Sequence, residues 1–125
     1  MEFIDNTLIE DFSTEGAVLC KGIFLDWLDP LRIGVDKLIQ NPSVRERSYT
    51  PEDGTAPFFQ DLVNWDRIPE FKDFIFKSKI GFYAAKLMNS KKSRFFHDHV
   101  LGKEPGSSIV TTRHQDKLYY CVDGK

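Results

Sequence analysis

The chain has 125 residues, of which 41% are hydrophobic and 14% aromatic, with eleven Phe, so it carries enough apolar material for one core and too little length for two ordinary domains. Seventeen basic residues against nineteen acidic ones leave a formal charge of −2, which excludes a basic face and, with it, nucleic acid as the main partner. The N-terminal "MEFIDNTLIEDF" has acids where a signal peptide has bases, no apolar run reaches the length of a membrane span, and Cys20 and Cys121 form no CxxC pair; a cytoplasmic protein without a membrane segment is expected.

Up to about residue 90 the periodicity is mostly helical. "DNTLIEDFSTEG" predicts a short helix closed by Gly16, and "GAVLCKGIF" a short apolar strand ending at Phe24. Asp29 and Pro30 form an N-cap and first-turn pair for a helix in which Leu31, Val35, Leu38 and Ile39 recur on one face, ended by Asn41 and Pro42. Residues 42–57, rich in Pro, Gly, Ser and charge, read as a long surface loop. Pro69 then opens a helix carrying Phe71, Phe74 and Ile75, and Ser78 is placed to cap another carrying Ile80, Tyr83, Ala84, Leu87 and Met88.

From residue 91 the period changes toward two. "RFFHDHVLGK" is strand-like, "EPGSS" is a turn, and "IVTTRHQDKLYYCV" has the β-branched and aromatic residues that suit a strand. The expected fold class is therefore α+β, with residues 1–90 mainly helical and 91–125 β. Two or three strands cannot close a sheet, so the β part is expected to be incomplete and to leave an exposed edge.

The chemistry-bearing residues cluster in that β part. In a strand, His114 and Asp116 point to the same face, and an HxD pair is the spacing that supplies two ligands of a 2-His-1-carboxylate facial triad on Fe(II). By itself HxD is a common surface pair. A second arrangement, His97 and His99 with Glu104 after them, resembles the metal-binding core of cupins, although the flanking glycines of that pattern are replaced by Lys91 and Thr111. No GxSxG, Walker-type glycine loop or Cys–His pairing accompanies them.

The surroundings of the first arrangement separate the two. Residues 100–124, "VLGKEPGSSIVTTRHQDKLYYCVDG", resemble the phytanoyl-CoA dioxygenase family, in which a lysine and a Pro-Gly turn precede HQD and an aromatic follows it. Here these are Lys103, Glu104-Pro105-Gly106, His114-Gln115-Asp116 and Tyr119; Gly16, Val18, Gly22 and Phe24 match the family's N-terminal pattern. The resemblance implies N-terminal helices packed on part of a double-stranded β-helix (jelly-roll). It also implies Fe(II) and 2-oxoglutarate as cofactors and hydroxylation of a small-molecule substrate. His114 and Asp116 become iron ligands, His99 and Lys103 neighbours of 2-oxoglutarate, and Tyr119 a substrate-pocket wall.

The family's third ligand, a histidine, and the arginine that binds the far carboxylate of 2-oxoglutarate follow HQD, whereas no His or Arg follows Asp116 here. The expectation is thus an N-terminal portion of such an oxygenase, inactive or impaired by itself. Two other readings stay open: the cupin-type site of His97, His99 and Glu104, and a non-catalytic β-containing module that forms a homo-oligomer through its exposed sheet edge.

Overall fold

The computed structural model of the chain describes residues 3–116 and residue 120. Helix α1, Asn6–Glu15, starts where Asp5 Oδ1 accepts the Leu8 N–H at 2.9 Å. It ends where Gly16, at φ 76°, returns its N–H to the Phe12 carbonyl, a left-handed turn that glycine adopts without a Cβ clash. The strand expected before Phe24 is not formed. Gly22, at φ 75°, turns the chain, Leu19 stays 73% exposed, and Phe24 stacks edge-on against Phe74 and Tyr83 at ring distances of 5.1 and 6.0 Å. An apolar run with no neighbouring strand to accept its backbone groups gains nothing from extension.

A single 3-10 turn, Leu25–Trp27, leads into α2, Leu28–Gln40. The helix therefore starts ahead of Asp29, which serves as a first-turn acid and pairs with Arg32 at 3.1 Å instead of capping. α2 packs on α3, Pro69–Lys77, across Gly34, Leu38 and Phe71, and a surface pair between Lys37 and Glu70 closes the same crossing. Ser78 ends α3 and accepts the Ile80 N–H of α4, Ile80–Leu87, at 3.3 Å, but the residue at the N-cap of α4 is Lys79, at φ 64°, so the cap expected of Ser78 is displaced by one residue.

One β-strand is not signalled by the helical reading of residues 1–90. Strand β1, Phe58–Leu62, pairs antiparallel with β2, His99–Lys103, setting Phe58 opposite Lys103, Gln60 opposite Leu101 and Leu62 opposite His99. The loop at 42–57 covers the other edge of β1, where Tyr49 and Phe58 exchange both backbone hydrogen bonds at 2.9 Å and the Arg47 N–H reaches the Gln60 carbonyl at 2.8 Å. β2 is shorter than the strand expected over 94–103. No strand forms over residues 109–116, the described part of the last expected strand.

Helices with a two-stranded antiparallel sheet make this an α+β fold. No helix among the described residues is long and apolar enough to cross a membrane.

Leu38, Ile68 and Phe71 form the buried core, with Leu31, Val35, Phe59, Trp65 and Val100 against it; Ile4 is buried separately. Full burial of a side chain such as Phe71 contributes about 2–3 kcal/mol.

Asp61 sits inside this core, fully buried on β1. Burial pushes its pKa up, but bonds from the Ser43 hydroxyl at 2.5 Å, the Ser43 N–H at 2.7 Å and the Leu62 N–H at 2.8 Å outweigh it and hold the carboxyl below its ordinary value. A carboxyl with a depressed folded pKa contributes stability above its unfolded pKa, near ~3.9, and loses it as pH falls through the folded value. Asp61→Asn should therefore lower stability at neutral pH and flatten its fall below about pH 4, measured by urea unfolding at pH 7 and pH 3. In α2, a Cβ on Gly34 would lie 2.6 Å from Phe71 Cε1. Gly34→Ala should cost about 1–3 kcal/mol in thermal unfolding, although alanine is the better helix former.

Candidate metal centre

The sheet has two unlike faces. Phe59 and Val100 look toward the helices, so alternation along the pair puts Phe58, Gln60 and Leu62 of β1 and His99, Leu101 and Lys103 of β2 on the other face. His99 and Lys103 thus share a face, as their spacing requires, and among the described residues no helix is packed on that face. The Lys103 ammonium lies 5.1 Å from the ring centre of Phe58, its cross-strand partner, and donates to Thr111 Oγ1 at 3.1 Å.

Thr111 begins the stretch that carries the HxD pair. His114 Nδ1 lies 2.8 Å from the Thr112 carbonyl oxygen, an acceptor only, so an Nδ1–H donates to it. Nε2 in turn lies 3.3 Å from Asp116 Oδ1. The convergence expected from strand alternation is therefore reached without a strand: the Thr112 carbonyl orients the ring. Two donors each ~2.1 Å from one metal ion at neighbouring octahedral positions stand ~3.0 Å apart, and a 3.3 Å separation opens that angle to ~100°.

With a proton on Nε2 this contact is a hydrogen-bonded ion pair, and with Nε2 deprotonated the same nitrogen and oxygen can act as a pair of metal donors. Both side chains are well exposed, at 48% and 70%, so a metal would reach them directly from solvent.

No third donor joins them: among the described residues, no three of His, Cys, Asp and Glu converge. This also removes the cupin-type site, since His97, His99 and Glu104 are all described and do not come together. The physical reason lies in Asp98. Its carboxylate accepts the N–H groups of Asn64 at 2.9 Å and Trp65 at 2.8 Å, and its carbonyl accepts the Val63 N–H at 3.0 Å, so β2 begins only at His99. His97 is left outside the strand, stacked on Phe96 at 4.8 Å and Tyr120 at 5.5 Å, and Glu104 is exposed at the turn beyond β2. The bend at this clamp puts Val63 at φ 56°, a left-handed conformation that a β-branched residue rarely adopts.

Tyr119, expected to wall a substrate pocket, lies outside the described residues. Three participants have no signature in the sequence: Phe58, whose role needs the β1–β2 register; Thr111, which needs the path of the chain after the Pro-Gly turn; and Asp98, whose carboxylate is hidden between two histidines.

Comparison of the chain with family models, characterised proteins and solved structures finds no match.

His99 titrates below its ordinary value, first because it is partly desolvated and then because His97 stands beside it, against the opposing pull of Asp98 and Asp61. The neutral ring is the favoured form. Its contribution to stability is complete above the unfolded pKa near ~6.5 and declines as pH falls through the folded value. An NMR titration of the His99 ring should give a midpoint under ~6.5, and His97→Gln should raise it; an unchanged midpoint would remove His97 as a cause.

Proposed function

We propose that this chain belongs to an Fe(II)- and 2-oxoglutarate-dependent oxygenase of the phytanoyl-CoA dioxygenase type, with His114 and Asp116 as two adjacent ligands of the iron. The observation that carries this reading is the 3.3 Å approach of His114 Nε2 to Asp116 Oδ1 with the ring proton directed to the Thr112 carbonyl. Together with the Lys103 and Pro105-Gly106 pattern ahead of HQD, it gives an imidazole nitrogen and a carboxylate oxygen at the spacing of neighbouring ligands on one metal.

When bound, iron and 2-oxoglutarate would supply O2-dependent hydroxylation of a C–H bond in a small organic substrate. In this reading the protein's residues do the positioning: Thr112 orients the His114 ring, and the sheet face bearing His99 and Lys103 is the side on which cofactor and substrate are held. The jelly-roll is the architecture this face suits, because its helical side is already packed. Among the described residues no third metal donor joins His114 and Asp116. The cytoplasm, where iron stays reduced, is the compartment this chemistry calls for.

Co(II), a spectroscopic stand-in for Fe(II), should bind the chain weakly, and His114→Ala should abolish that binding while His97→Ala leaves it intact. Binding that survives His114→Ala would sink the reading. A second reading, a homo-oligomerising module, is favoured by Leu101, 55% exposed on β2, whose outer edge has no partner among the described residues. Under it, sedimentation should give a metal-independent dimer that Leu101→Glu dissociates.

A further inference from the structure

We infer that Lys103 is a positioning residue for the His114–Asp116 pair, bracing the Thr111–Asp116 stretch against the sheet through Phe58 and Thr111. The inference rests on the metal-site reading above and names the part of the chain that keeps the site assembled. Phe58 and Lys103 face each other across the β1–β2 ladder, which fixes the ring beneath the ammonium at 5.1 Å. From there Nζ donates to Thr111 Oγ1 at 3.1 Å. Thr111 is adjacent to Thr112, whose carbonyl orients His114.

No regular element holds this stretch: it is neither helix nor strand over 111–115, and its backbone makes no ladder with β2. A ring that must present Nε2 toward Asp116 from such a segment depends on side-chain anchors. The Lys103 ammonium supplies one, three residues ahead of the histidine at its point of contact. Its partners are a ring face and a hydroxyl, neither of them a metal donor in this reading, so the brace does not depend on the metal being bound. Tightening a histidine's orientation through a neighbour outside the ligand set characteristically changes metal affinity by about tenfold or more.

The test uses the full chain, metal-free and then with Co(II). In the metal-free protein, Lys103→Met, which keeps the stem and removes the ammonium, should weaken the His114 Nδ1–H bond to the Thr112 carbonyl, read from the ring NMR signals, and lower backbone order over 112–116. Lys103→Arg should restore both, because a guanidinium stacks on a ring and donates to a hydroxyl. Thr111→Val, which leaves the charge in place and removes the acceptor, should reproduce the loss, so the outcome does not depend on one variant. Co(II) affinity should fall about tenfold in Lys103→Met and recover in Lys103→Arg.

Unchanged ring signals and unchanged order in both Lys103→Met and Thr111→Val would overturn the brace. So would a loss confined to 2-oxoglutarate affinity, which would make Lys103 a cofactor contact instead. If the ring signals respond but the parent chain binds no Co(II), the brace stands and the metal reading fails.

Discussion

The antiparallel pairing of β1 with β2 joins the helical body to the stretch that carries the HQD residues, and most of the chemistry proposed for the chain depends on that joint. Its inner side adds Phe59 and Val100 to the core of Leu38, Ile68 and Phe71. Its outer side fixes the row of Phe58 and Lys103, and through Lys103 the position of Thr111. Two polar devices lock the ladder from within. Asp61, buried on β1, gathers the N–H and hydroxyl of Ser43 and so ties down the start of the long loop. Asp98, just ahead of β2, gathers the N–H groups that lead into α3. Each carboxylate satisfies backbone donors that would otherwise be buried without partners, which is why two acids are tolerated so close to a small core.

The helices were legible in the sequence because their determinants are local. Leu31, Val35 and Leu38 at helical spacing, Asp5 ahead of α1, Gly16 after it and Pro69 at the first turn of α3 act within a few residues of themselves. Strand β1 was not legible, since "FFQDL" carries a buried acid where alternation expects an apolar residue, and its partner lies far along the chain. The apolar run before Phe24 was misread for the complementary reason: its composition suits a strand, and nothing in composition says that no strand is beside it.

At the site, the HxD spacing identified the two residues that converge, but the cause of convergence, a carbonyl two residues before the histidine, is a property of the fold. His97, His99 and Glu104 stood on equal terms with them in the sequence. What separates the two sets is where β2 starts, and that is decided by Asp98 and the backbone of residues 63–65.

Val63 gives this clamp a consequence for how the chain assembles. At φ 56° its backbone is disfavoured in isolation, by roughly 1–3 kcal/mol for a non-glycine residue so held, and the compensating bonds from Asn64 and Trp65 to Asp98 exist only once the later segment has arrived. The bend is thus imposed by tertiary contact and not encoded locally. Like the α2–α3 crossing, the corner that orients β2, and with it Lys103 and the HQD stretch, closes only when residues more than thirty positions apart meet. The placing of the segment proposed to bind metal accordingly depends on a bend that residues 63–65 do not hold by themselves.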